Sequence, residues 1–232
     1  MRLEKKVTRS EETSSRTAVV VVDLQADFTT AADGPLAVPG SDLDYIQAVE
    51  KAVRELKEAG LPVIATQDAH PPDHVSFAAN HPGKKAFETI ELADGRSQTL
   101  WPVHCVQGNQ GARILVDDSL IDHLIPKGGR RDFESYSAFA DDGGRATGLA
   151  DLLENLGVQT LIVFGMAIDF CLGATVRDAQ KAGYRVIIIE ELCLGISEED
   201  SKTALTAAAE AGAVIRPRLD AALLEKLVQG EL

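Results

Sequence analysis

The chain has 232 residues, 45% of them hydrophobic and 25% charged, which is enough apolar side chain for one large core and carries no bias toward disorder or a fibrous repeat. Thirty-six acidic against 23 basic residues leave a formal charge of −13, a surface that repels phosphate backbones and argues against nucleic acid as a partner. No run is long and apolar enough to span a bilayer, and Met1-Arg2-Leu3-Glu4-Lys5-Lys6 lacks a signal-peptide core. Glu4, Glu11 and Glu12 break a transit-peptide pattern, and three cysteines, an odd count, suggest a reducing compartment. The expectation is a cytoplasmic protein acting on a small molecule.

Residues 1–16 are polar without periodicity and predict an arm ahead of a single domain over 17–232. The run Ala18 to Val22 predicts a buried strand. Ser41 is then expected to cap a helix whose Ile46, Val49, Val53 and Leu56 recur at helical spacing, with Gly60 ending it. Leu61 to Thr66 predicts the next strand. Gly157, Gly183 and Gly212 repeat the same helix-ending punctuation before the apolar runs Leu161–Phe164, Val186–Ile189 and Ala213–Ile215. Continuously apolar strands alternating with helices require a mostly parallel sheet covered on both faces, so the fold class is α/β, a doubly wound three-layer sandwich. The stretch from His70 to Gly111 is too long for an idle connection. Ile90, Leu92 and the Asp94-Gly95 turn predict a small hairpin within it.

In an open parallel sheet the binding crevice lies beyond the C-terminal strand ends, which directs attention to Asp23, Asp68, His70, Lys127 and Cys171. Cys171 is expected at the start of a helix, where the dipole and a neighbouring lysine would favour thiolate. An aspartate within reach of that thiol can take its proton and later deliver it to a leaving amine. Asp68 and His70, two apart on an extended backbone, can grip one metal ion. His104 is the best third ligand, with His74 and Cys105 as alternatives. Cys193, at the end of a core run, reads as structural.

The ordered segments Val21 to Phe28, Asp68 to Phe77, Trp101 to Cys105, Pro126 to Gly128, Tyr136 to Phe139 and Gly165 to Cys171 resemble the nicotinamidases of the isochorismatase-like hydrolase superfamily over nearly all of Val19 to Ile215. The resemblance implies the isochorismatase-like fold and a triad of Asp23, Lys127 and Cys171. It implies a cis peptide at Met166-Ala167 that aims the Ala167 and Cys171 N–H groups at an oxyanion. It also implies one divalent metal on Asp68, His70 and His104, zinc first and iron or manganese as alternatives, and a pyridine ring held by Phe28, Trp101 and Tyr136. The activity implied is hydrolysis of nicotinamide to nicotinate and ammonia in NAD salvage, extending to amides such as pyrazinamide, by a protein compatible with homo-oligomer assembly. Ala69 and Phe170 depart from the usual pattern and are expected to reshape the ring pocket. The rival readings are an amidohydrolase of carbamoyl, maleamate-like or ureido substrates, a zinc hydrolase with a structural Cys171, and a non-catalytic binding protein.

Overall fold

The apolar runs of the sequence become adjacent strands of one sheet. The structure is a computed structural model describing residues 17–229, and the expected arm at 1–16 lies outside the described residues. The strands are β1 (Thr17–Val22), β2 (Val63–Asp68), β5 (His123–Lys127), β6 (Thr160–Met166), β7 (Arg185–Leu194) and β8 (Val214–Arg216), in spatial order β5-β2-β1-β6-β7-β8, and every pairing is parallel. Helices α1 (Leu43–Glu58) and α5 (Ala221–Gln229) cover one face, and α2 (Leu149–Asn155), α3 (Cys171–Lys181) and α4 (Glu198–Glu210) cover the other. Alternation along β1 divides the core accordingly: Val19 and Val21 join one cluster, Ala18, Val20 and Val22 the other. Pro126 sits on β5, an edge strand, where a missing backbone donor costs least. Among the described residues no helix is long and apolar enough to cross a membrane.

The glycine punctuation has a common geometry. After α1, α2, α3 and α4, glycines 60, 157, 183 and 212 take positive φ of 87°, 67°, 89° and 101°. At each, the glycine N–H and the following N–H turn back to helix carbonyls, as in Gly60 to Lys57 and Leu61 to Leu56. Each such stop launches the chain into the next strand. Gly165, with φ 122°, has another reason to be glycine: a Cβ there would meet the Val22 carbonyl oxygen at 2.2 Å, so its absence lets β6 close on β1 just before Asp23.

Two local expectations need correction. The cap of α1 is Asp42, whose Oδ1 accepts the Tyr45 N–H at 3.0 Å; the Ser41 hydroxyl is buried and already committed to the Val38 and Phe28 carbonyls. The hairpin exists as β3 (Thr89–Glu91) and β4 (Ser97–Thr99), but a longer connection over 92–96 joins its strands, closed by Leu92 N–H to Arg96 O.

The chain winds outward from β1 through β2 to β5, then crosses to β6 and winds the other way. The order therefore reverses between β1 and β6, the place where such sheets open a crevice.

Candidate active site

Asp23, Lys127 and Cys171 leave three strands at this crevice and meet. Asp23 follows β1 in a left-handed conformation, φ 48°, which an aspartate tolerates; Thr66 Oγ1 accepts its N–H at 3.1 Å and donates to its Oδ1 at 2.5 Å. Lys127 ends β5, and its Nζ lies 2.8 Å from Asp23 Oδ2, 2.5 Å from Asp68 Oδ1, 2.9 Å from Ser135 O and 3.4 Å from Cys171 Sγ. Cys171 opens α3, and its Sγ and the carboxylate oxygens of Asp23 and Asp68 lie within 4.8 Å of one another. Asp23 Oδ2 is buried beside the Lys127 ammonium, and a carboxylate oxygen with one such partner keeps a lone pair for a proton from the thiol.

The electrostatics overturn one expectation. Burial pushes the Cys171 thiol well above its ordinary pKa, against the pull of Lys127 and reinforced by the charge of Asp23, so the cysteine rests as a neutral thiol. A helix start and a lysine would have favoured thiolate had the site been open to water. Burial also raises Asp23, with Lys127 working in the opposite direction, and a raised carboxylate is the better proton acceptor. Burial alone would discharge Lys127, but Asp23 and Asp68 hold its ammonium well above the usual lysine value.

The Met166-Ala167 peptide is cis. Beyond it the Ile168 N–H donates to Leu194 O, and the Phe170 and Leu172 N–H groups both donate to Ala167 O. No backbone acceptor engages the N–H of Ala167 or Cys171 among the described residues. These two residues border a cavity lined by Phe28, Leu36, Val38, Asp68, Trp101, His104, Glu134, Tyr136, Met166, Ala167, Phe170, Cys171 and Ile196. The three aromatics expected at the ring site are all there, with Phe170 beside them. Ala69 is not: it lines a separate cavity with Gln107 and Gly128, because alternation along extended chain turns it away from Asp68 and His70. Its small size therefore does not widen the ring pocket.

Asp68, His70 and His104 bring one donor atom each within 4.8 Å of the others. His70 Nδ1 pairs with Gly128 O at 2.9 Å and His104 Nδ1 with Pro102 O at 2.7 Å, fixing both rings through their rear nitrogens. His70 Nε2 is then buried without a hydrogen-bond partner, 3.5 Å from Asp68 Oδ2, and an orphaned imidazole nitrogen beside a carboxylate fits a metal. His74 is the poorer alternative, since Ser76 Oγ and Phe133 O occupy its two nitrogens. Gly128 is integral to this arrangement, because a Cβ there would lie 2.4 Å from the His70 ring.

Residues 17–218 match the family described as the Isochorismatase domain. The chain belongs to the isochorismatase family. It is 41% identical over 187 residues to a nicotinamidase of Acinetobacter baylyi, spanning 79% of this chain and 84% of that one. A solved nicotinamidase and pyrazinamidase of Acinetobacter baumanii superimposes with a TM-score of 0.79 at 39% identity, covering 87% of this chain and 95% of that one. A Pyrococcus horikoshii pyrazinamidase solved in complex with zinc gives a TM-score of 0.73 at 32% identity, covering 88% and 99%.

Several supporting residues escaped the sequence reading. Gln25, fully buried, donates to Asp68 O and Ala112 O and accepts the Asp68 N–H, tying the loop after β1 to the end of β2. Thr66 orients Asp23, and period two along β2 would have placed it on the face of Asp68. The Asp27 carboxylate accepts the N–H of Cys105, beside His104. Asp169 accepts from the N–H groups of Ile196 and Ser197 and joins the loop before Cys171 to the start of α4. Glu134, buried in the cavity wall, carried no local signal.

Proposed function

We propose that this chain is a nicotinamidase, hydrolysing nicotinamide to nicotinate and ammonia through a thioester on Cys171. The observation that carries this reading is one cavity whose lining brings Cys171 of the Asp23–Lys127–Cys171 cluster together with Asp68 and His104 of the metal-donor set, walled by Phe28, Trp101 and Tyr136. The similarity to the Acinetobacter baylyi nicotinamidase over most of both chains supports it.

Asp68, His70 and His104 would hold a divalent ion, zinc by the chemistry of a two-histidine, one-carboxylate set and by the Pyrococcus relative. When bound, such an ion supplies a Lewis-acid seat for a ring nitrogen. Phe28, Trp101 and Tyr136 orient the ring and exclude water. Asp23 takes the thiol proton as Sγ forms its bond to the carboxamide carbon, and the N–H groups of Ala167 and Cys171 stabilise the oxyanion, each donor contributing roughly 3–4 kcal/mol at the barrier. The C–N bond breaks as Asp23 returns the proton to the leaving nitrogen, giving ammonia. Water then loses a proton to Asp23 and attacks the thioester; the C–S bond breaks, the Asp23 proton passes to sulfur, and the product carboxyl gives up its remaining proton to solvent as nicotinate leaves. Lys127 keeps its charge throughout and holds both carboxylates in place.

Purified enzyme supplied with zinc and nicotinamide is expected to release one ammonia and one nicotinate per turnover. Release from ureido or carbamoyl substrates but not from nicotinamide would defeat the reading. Chelation is expected to remove most nicotinamide turnover and zinc to restore it. His104→Ala should weaken zinc binding in equilibrium dialysis by more than the roughly 10–100-fold typical of an outer-shell change, and unchanged affinity would show that His104 is no ligand.

The pH profile follows from Asp23. Its pKa is raised by burial, and it serves as a base only when ionised, so kcat/KM falls as pH drops through that raised value. The acid limb should lie above the ordinary aspartate value of about 3.9. A limb at or below that value would count against Asp23 as the base.

A further inference from the structure

Phe87 is out of place by two ordinary criteria. It is 61% exposed, and its backbone takes φ 71°, a left-handed conformation unfavourable for a bulky residue. Backbone strain of this kind persists where the surroundings over-determine it, and it clusters at ligand clamps. The surroundings here are specific. The Phe87 N–H donates to Leu100 O at 2.6 Å and the Leu100 N–H to Glu88 O at 2.8 Å, pinning Phe87 against the segment that delivers Trp101. Its ring stands edge-on to the Trp101 indole, with centroids 5.9 Å apart and planes at 90°.

Trp101 is also the middle of a longer arrangement. It meets Phe170 edge-on at 4.9 Å, and its Nε1–H donates to Tyr136 Oη at 3.1 Å. Trp101, Tyr136 and Phe170 all line the cavity, whereas Phe87 does not. Phe87 therefore touches the outer side of a wall whose inner side faces the substrate. An indole fixed on both sides presents a pre-formed surface, and ordering that is already complete need not be supplied by the ligand.

We infer that Phe87 is a positioning residue for substrate recognition, holding Trp101 in place as a wall of the ring-binding cavity and keeping its strained backbone for that purpose. The inference rests on the nicotinamidase reading for the identity of the ring, but not for the role of Phe87 itself.

The chain contains one tryptophan, so intrinsic tryptophan fluorescence reports Trp101 alone. Phe87→Ala and Phe87→Gly both remove the ring, but only glycine relieves the left-handed backbone. Both variants are expected to raise KM for nicotinamide about threefold to tenfold, the range that one aromatic pair can account for, with kcat changed less than about twofold. Both should lower Trp101 fluorescence anisotropy, and Phe87→Tyr should restore KM and anisotropy together. The glycine variant should melt about 2–4 °C above the alanine variant. A residue that merely fills the loop would give the melting difference with KM and anisotropy unmoved, and that result overturns the inference. So does a rise in KM without a fall in anisotropy, or a glycine variant no more stable than alanine. Should the unaltered enzyme fail to hydrolyse nicotinamide, the functional reading falls while anisotropy and melting still decide the role of Phe87.

Discussion

Cys171→Ala is expected to lower nicotinamide turnover by roughly 10⁴-fold or more while leaving the fold and metal binding intact. The loss is large because in the proposed reaction the thiol sulfur is the atom that bonds to carbon; a step without its nucleophile loses that pathway altogether, and what remains is binding and oxyanion stabilisation. The fold is spared because alanine suits the first residue of α3 and the change removes only Sγ, costing about 1 kcal/mol in stability. Metal binding is spared because Asp68 and His70 lie at the end of β2 and His104 in the loop after β4, with the two imidazoles held by Gly128 O and Pro102 O rather than by sulfur. Ammonia release measured alongside bound zinc checks both halves. A substantially active Cys171→Ala enzyme would mean that water attacks directly and that Cys171 is structural.

Lys127→Met is the second large effect, and it reaches stability as well as activity. The ammonium neutralises two carboxylates that are themselves buried, Asp23 and Asp68, at 2.8 and 2.5 Å. Removing one partner of a buried ion pair costs about 3–5 kcal/mol, because the charge left behind keeps its desolvation penalty. The variant escapes part of that by binding a proton on a carboxylate, and the sign of the pH dependence follows. A carboxyl whose folded pKa is raised above its unfolded value binds more protons in the folded state between the two values, so the variant's stability falls as pH rises through that window. Urea unfolding of both proteins at several pH values should therefore show a deficit that grows from about pH 4 upward. A deficit independent of pH, or none, would mean that Lys127 is not the counter-charge for this pair. Turnover should also collapse, since the carboxylate left protonated can no longer accept the thiol proton.

Much of this was legible in the sequence, for identifiable reasons. Apolar runs separated by Gly60, Gly157, Gly183 and Gly212 fix where strands begin, and in a parallel sheet residues just past strand ends necessarily share one edge. Asp23, Asp68, Lys127 and Cys171 are therefore expected together from the sequence alone. What it could not supply was burial. The thiol pKa depends on the burial of Cys171 in a cavity whose walls include Phe28, Trp101 and Tyr136 from distant segments, and helix start and lysine alone point the wrong way. The facing of Ala69 followed from the same period-two alternation that placed Asp68 and His70, and family habit at that position obscured it. Ser41 and Asp42 are both competent caps; the choice was made by a tertiary use of the serine hydroxyl. The strained backbone of Phe87 has no signature in a sequence that offers an ordinary phenylalanine there.

In the proposed reaction Cys171 attacks the carbonyl carbon of a pyridine ring substituent in this cavity. Nicotinaldehyde carries that carbon without a leaving group, so attack stops at the tetrahedral adduct, and carbon-13 at the aldehyde position makes the adduct visible by NMR. A tetrahedral carbon resonance is expected on mixing with the unaltered zinc enzyme, and only free aldehyde with Cys171→Ala. The same adduct on both proteins, or none on an enzyme that hydrolyses nicotinamide, would contradict it.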